Sequence, residues 1–217
     1  MSTTYNSHTA VNQLQRGGGQ ITLRGSTTVV TEFFAFAINS ILYQRGVYPA
    51  ESFQKVQRYG VPLFITQDIP LKSYLGSVLS QLSEWLMNGS VQKLVLVIGD
   101  QASGVNLERW VFDIDTQGGA TAANNIITPS GAYNEKECQN QIAAMMRQIS
   151  ASVSFLPLME TSCNFDLLVY ARADTSVPTT WENSDPKLIV DSTQVKLRSF
   201  TTSVHKVDTS VCFREAN

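Results

Sequence analysis

The sequence predicts an α+β domain, with helices packed on one face of a mainly antiparallel sheet. Three long stretches repeat their apolar residues at the 3.6-residue period of a helix. Six or so short segments rich in β-branched and aromatic residues read as strands. Strands and helices do not alternate in the βαβα rhythm that a parallel sheet requires. With 217 residues, 43% of them hydrophobic and 16% charged, one domain can bury about 70% of its extended-chain surface. There is no internal repeat, and no linker divides the chain.

The first helix is predicted over 28–45, "TVVTEFFAFAINSILYQR". Its apolar residues fall at 30, 33, 34, 37, 38, 41 and 42, a face wide enough to imply a central helix. Gly46 supplies its stop. A shorter helical pattern (Phe53, Val56, Tyr59) is expected to end at Gly60. "VPLFIT" (61–66) reads as a strand, with Pro62 at an edge or a strand start. Asp68 caps a second helix, carried by Leu71, Leu75, Val78, Leu82, Trp85 and Leu86. Asn88-Gly89-Ser90 reads as the turn that ends it rather than as a glycosylation site. "QKLVLVIG" (92–99) and "LERWVFDID" (107–115) flank a Gly-containing turn and form a hairpin. Residues 116–132 read as a loop. A third helix, 133–152, turns Ile142, Met145, Met146 and Ile149 inward. Three strands are then expected: 161–170, 187–192 and 193–208.

Bulk properties exclude several classes. A net charge of −2 and no cluster of basic residues interleaved with aromatics argue against nucleic-acid binding. No signal peptide and no membrane span is predicted. Three widely spaced cysteines suit a reducing compartment, without a disulfide framework. The expectation is a soluble intracellular protein.

A search for chemistry returns little. G-x-S-x-G, H-E-x-x-H and C-x-x-C are absent, and "RGGGQ" (16–20) lacks the phosphate-loop pattern. His205 reads as a partly exposed strand histidine. Asp113 and Asp115 share one strand face, either sharing a cation or standing solvated at a hairpin end. The reading is a non-enzyme without cofactor or metal; the rival is an enzyme using Asp113, Asp115 and His205.

What remains is binding. Exposed strand edges accept extended peptides through main-chain hydrogen bonds. The stretch "TQVKLRSFTTSVHKVD" (193–208) has Val195 and Leu197 in one alternating register and Phe200, Thr202 and Val204 in the other. Composition alone favours a β-bulge in a fixed strand, while weakly specified register permits alternate pairings.

"QITLRGS" (20–26), "INSILYQRG" (38–46), "SVQKLV" (90–95), "LERW" (107–110), "RQI" (147–149), "FLPL" (155–158), "FDLL" (165–168), "LRSFTT" (197–202) and "HKV" (205–207) occur in that order. Together they resemble the HORMA-domain spindle assembly checkpoint proteins, the mitotic arrest deficient protein 2 family, over about residues 20–207. The resemblance implies a HORMA domain over 20–217 after a flexible extension (1–19), with a core to about 172 and a mobile C-terminal "safety belt" over 173–217. It implies two conformers. In the open one the belt covers the edge strand at Lys187, Leu188, Ile189 and Val190. In the closed one the belt (Val195, Leu197, Arg198, Phe200, Val204, His205) pairs beside a strand carrying Phe165, Leu167 and Val169, and the freed edge takes a peptide. It also implies dimerisation of conformers through Arg147, Gln148 and Phe155, with Trp85 near the belt or ligand. The implied partners are the kinetochore coiled-coil checkpoint protein, the coactivator of the anaphase-promoting ubiquitin ligase, checkpoint kinase-related subunits, and an AAA+ remodeller with a HORMA adaptor. Nucleus, kinetochore and cytoplasm are the implied locations. A translesion-polymerase or meiotic-axis HORMA subunit is the alternative within the fold. Beyond Val207 the tail diverges from the family pattern, so the resemblance supports no regulatory phosphorylation there; Thr209 and Ser210 are candidate sites by residue type alone.

Overall fold

In the computed structural model, which describes residues 21–117, 120–121, 126–127 and 132–215, the longest helix, α1 (Leu23–Gln44), runs through the core. Thr22 caps it by accepting the Gly25 N–H at 3.0 Å. At its other end Gly46, at φ +63°, lets the Gly46 and Val47 N–H groups return to the Tyr43 and Leu42 carbonyls, a Schellman stop. By length and composition α1 is apolar enough to cross a bilayer; its burial in the domain accounts for that apolarity. Phe33 and Phe34 meet Phe112 edge-on, at 5.9 and 5.5 Å between ring centroids. Phe33 meets Phe200 at 4.9 Å.

The stretch expected as a short helix at 53–59 is a strand. β1 (Phe53–Arg58) pairs antiparallel with β2 (Val61–Thr66) as a separate two-stranded hairpin. Its turn places Tyr59 at φ 52° and Gly60 at φ 69°, the positive-φ pair that a tight hairpin needs. Three apolar residues spaced by three do not distinguish helix from strand; the Tyr-Gly turn does. α2 (Ile69–Met87) follows, capped by Asp68, whose carboxylate accepts the Leu71 N–H at 2.8 Å. It ends in a second Schellman turn at Gly89, as read for Asn88–Ser90.

The main sheet has the order β7-β3-β4-β9-β8 and is antiparallel throughout. Its strands are β3 (Val91–Asp100), β4 (Asn106–Thr116), β7 (Cys163–Ala171), β8 (Ser192–Thr201) and β9 (His205–Arg214). Two residue pairs, Ala120–Thr121 (β5) and Ile126–Ile127 (β6), bridge within the expected loop at 116–132; most of that loop, and the N-terminal extension, lie outside the described residues. The inner face (Leu94, Leu96, Trp110, Phe112, Val207, Val211) meets the helices. The outer face carries a smaller apolar patch of Val95, Val97 and Val111 with Leu168 and Tyr170. α3 (Glu135–Ala151) buries Ile142, Met145, Met146 and Ile149, as its periodicity predicts.

The C-terminal stretch read as one strand is a hairpin. β8 turns at Thr202–Val204 into β9, with Ser203 at φ 69°. The break in alternation is a β-bulge: Lys196 pairs with Ser210 and Ser199 with Asp208, so Leu197 and Arg198 together oppose Thr209. The bulge lets Val195 and Phe200 both pack against the core despite their odd spacing. Thr209 and Ser210 are buried on β9, so neither hydroxyl is open to a kinase in this conformer. His205, expected at the surface, is fully buried.

A buried ion pair ties three elements together. Arg45 meets Glu108 of β4 at 2.5 Å and also donates to the Pro157 carbonyl. The Trp110 indole donates to Glu108 at 3.1 Å. Burial pushes the Glu108 carboxyl upward and the Arg45 guanidinium opposes that shift.

Candidate functional site

The sheet has two outer edges, and they differ. β8 lies under α3, whose glutamines cap two amides in its C-terminal part: Gln148 accepts from the Arg198 N–H at 2.7 Å and Gln141 from the Thr201 N–H at 3.1 Å. Such caps, with the helix above them, block further pairing along that part of the edge. Among the described residues, β7 pairs with β3 on one side and with no strand on the other.

Beside that free edge runs an irregular strap, residues 172–191. Trp85, at the end of α2, fastens its first half. The Trp85 indole donates to the Ser176 carbonyl at 3.2 Å and its ring meets Trp181 edge-on at 4.9 Å. Farther along, Arg109 of β4 donates to the Pro186 carbonyl and to the Tyr170 hydroxyl, each at 3.2 Å. The Lys187 ammonium pairs with Asp166 of β7. Among the described residues no main-chain hydrogen bond joins β7 to the strap. Between them lies a cleft of about 410 Å³ lined by Tyr74, Val78, Asp166, Leu167 and Trp181. It continues into a narrower section of about 190 Å³ beside Val169 and Tyr170.

The cleft has two chemically different walls. On the core side Phe165 meets Tyr48 and Tyr74 edge-on, at 6.2 and 5.9 Å. On the outer side stand Asp166 and Tyr170. Burial, and then the Asp166 carboxylate, push the Tyr74 phenol upward, so it stays protonated and able to donate. A strand-shaped occupant would find main-chain groups on one side, apolar and aromatic side chains on one face, and a carboxylate on the other.

A HORMA-domain model matches residues 26–209. The chain is 54% identical over 197 residues to the Mitotic spindle assembly checkpoint protein MAD2A of Dictyostelium discoideum, covering 91% of this chain and 95% of that one. It is 50% identical over 202 residues to the human protein of the same name, covering 93% and 96%. A chain in a crystal structure of the Mitotic Checkpoint Complex superposes with a TM-score of 0.79 at 43% identity, covering 88% of this chain and 99% of that one. The protein belongs to the HORMA family, in its MAD2 spindle-checkpoint branch. C. elegans HTP-2 bound to a HIM-3 closure motif shares the fold alone, with a TM-score of 0.72 at 10% identity.

Two of the expected strand placements do not hold in this conformer. Phe165, Leu167 and Val169 lie on β7, which does not receive the C-terminal segment. The hairpin instead pairs with β4 from Glu108↔Phe213 to Thr116↔His205. Lys187, Leu188, Ile189 and Val190 form no strand. They belong to the strap, with Lys187 at φ 46° and Asp191 at φ 53°. Left-handed residues at both ends break the extended run that the β-branched composition suggests.

The remaining candidates fall at three places. Val195, Leu197, Arg198 and Phe200 lie on β8, Val204 in the turn and His205 at the start of β9. Arg147 stands exposed on α3, Gln148 is engaged by β8, and Phe155 is 42% exposed against Phe213. Asp113 and Asp115 are on the outer sheet face, where Asp113 pairs with Lys93 at 2.8 Å. The sheet separates both from His205, so the enzyme triad does not assemble. No His, Cys, Asp or Glu cluster of metal-binding form occurs among the described residues.

Sequence reasoning missed Asp166, Arg109, Tyr170 and Trp181. Each acts through sheet order or strap path, which leave no local pattern. The one available signal was "PTTW" (178–181), an isolated tryptophan in a polar run.

Proposed function

We propose that this protein is a spindle assembly checkpoint component that captures an extended partner peptide along the free edge of β7, beneath the strap. The observation that carries the reading is the edge itself: among the described residues no strand pairs with the outer side of β7, and a cleft separates it from the strap. In this conformer the hairpin sits on β4 and the slot is vacant of it. In a second conformer the hairpin would leave β4 and cover β7, so tail and ligand would compete for one set of main-chain groups. Passing a peptide under a strap fastened at both ends requires local unfolding, so exchange is slow and assisted by an AAA+ remodeller with a HORMA adaptor.

The peptides come from the kinetochore coiled-coil checkpoint protein and from the coactivator of the anaphase-promoting complex. Holding the coactivator, with checkpoint kinase-related subunits, inhibits the ligase and delays anaphase. The protein works at kinetochores, in the nucleus and in the cytoplasm. The exposed α3 face with Arg147 and Phe155 serves self-association of the two conformers. The role is regulatory rather than catalytic.

The test is a titration with a synthetic peptide of basic, aliphatic-rich, proline-ended sequence. Two slowly exchanging monomer conformers should collapse to one, with new hydrogen-exchange protection over 163–171 and 172–191. Unchanged exchange in both segments at saturating peptide would overturn the reading.

A further inference from the structure

Two polar contacts meet at one bend of the strap. The bend is Pro186–Lys187, with Lys187 in the left-handed region at φ 46°, a conformation that costs a non-glycine residue energy unless its surroundings hold it. Here they do. The Lys187 N–H donates to the Asp185 carboxylate at 3.0 Å, the Lys187 ammonium reaches Asp166, and Arg109 holds the Pro186 carbonyl at 3.2 Å. Arg109 also holds the Tyr170 hydroxyl, so one guanidinium bridges the strap and β7.

Among the described residues these are the polar contacts that tie 182–191 to the rest of the fold. Downstream of the bend the apolar side chains give little help: Leu188 is 65% and Val190 69% exposed. Upstream, the next anchor is Trp181 on Trp85. Cutting the bend's contacts would therefore free about ten residues at once. Asp166 also lines the cleft, so the fastening closes directly over the slot.

We propose that Lys187 and Arg109 form an electrostatic clasp that fastens the strap across the sheet and sets the rate at which a peptide enters and leaves the β7 slot. The proposal rests on reading that slot as the peptide site. Lys187 and Asp166 act as positioning residues, because they hold the strap rather than the ligand's main chain. A half-exposed ion pair is weakened by salt, so exchange is faster at high ionic strength. Asp166 also faces the slot, so a basic peptide adds a salt dependence of its own, and the strap exchange measured without ligand at low and high salt isolates the clasp's share.

The test compares wild type with Lys187→Gln, Arg109→Gln and the charge-swapped Asp166→Lys/Lys187→Asp pair, all first shown to melt with wild-type cooperativity. At low and high salt, hydrogen exchange over 177–191 is measured without ligand, and stopped-flow fluorescence follows the labelled synthetic peptide. Lys187→Gln should loosen the strap and raise the dissociation rate about twofold to fivefold. It should also flatten the salt dependence, which the swapped pair restores. Equal strap exchange and equal salt slopes in wild type and Lys187→Gln would overturn the clasp. A wild type that binds no peptide overturns the proposed function instead, and the unliganded strap exchange then decides the clasp by itself.

Discussion

His205 makes acid stability a direct test of how the C-terminal hairpin is docked. Its ring is fully buried; Nδ1 lies 2.7 Å from the Ser26 hydroxyl of α1, and that hydroxyl lies 2.5 Å from the Thr202 hydroxyl. Burial therefore pulls the imidazole down from 6.5 to about 4, with the Leu86 main chain offsetting part of the cost. The sign follows from linkage. The unfolded chain binds this proton more tightly than the folded one, so the stabilisation is present above about pH 6.5 and is lost as pH falls toward 4. A shift of that size is worth roughly 1 kcal/mol between neutrality and about pH 5.5, growing toward roughly 3 kcal/mol near pH 4 and below. Urea unfolding of wild type and His205→Gln over that range isolates the histidine, since other groups titrate alike in both. Wild type should lose roughly 1 kcal/mol more than the variant by about pH 5.5. Parallel pH profiles would refute the buried neutral imidazole.

Four further outcomes follow from particular contacts. Phe200→Ala, which empties a site against Phe33, should cost about 3–5 kcal/mol in chemical denaturation. Arg45→Met strands the buried Glu108 carboxylate and should cost about 3–5 kcal/mol, while Arg45→Met/Glu108→Leu recovers most of it. Gln148→Ala should speed exchange of the Arg198 amide that it caps while leaving β3 amides unchanged. Arg147→Ala should give a monomer at concentrations where wild type dimerises; unchanged sedimentation would count against the α3 dimer face.

The three helices were legible because each buries a wide face over many turns, and Asp68, Gly46 and Gly89 mark three of their ends; the start of α1 at Leu23, capped by Thr22, was missed in favour of residue 28. β3 and β4 were legible for a similar reason: two apolar runs flank a glycine turn. β1 was lost because Phe53, Val56 and Tyr59 are too few to define a period. The turn of the last hairpin, Thr202–Val204, carries no Gly, Pro, Asn or Asp. It is also buried, so β-branched residues fill a place where polar turn residues are usual. That is why β8 and β9 read as one strand with a phase error. Residues 187–192 have strand composition, but left-handed Lys187 and Asp191 hold them in the strap.

The candidate site was less legible than the fold. A free edge is a property of strand order, and no pattern within "CNFDLLVYA" says which neighbour it lacks. Asp166 and Arg109 become partners of the strap only because the chain recrosses the sheet after Ala171. The resemblance supplied the idea of a belt and a freed edge. The order β7-β3-β4-β9-β8 then assigns the free edge to β7 and the belt's partner to β4.

The most direct test is a set of cross-strand nuclear Overhauser effects from isotope-labelled protein bound to unlabelled synthetic peptide. Peptide main-chain contacts should appear on Phe165, Leu167 and Val169, while the contacts from β9 to β4, such as Val211 to Trp110, persist. Peptide contacts on Lys187–Val190 instead, or loss of the β4–β9 contacts on binding, would contradict the assignment of β7 as the capturing edge.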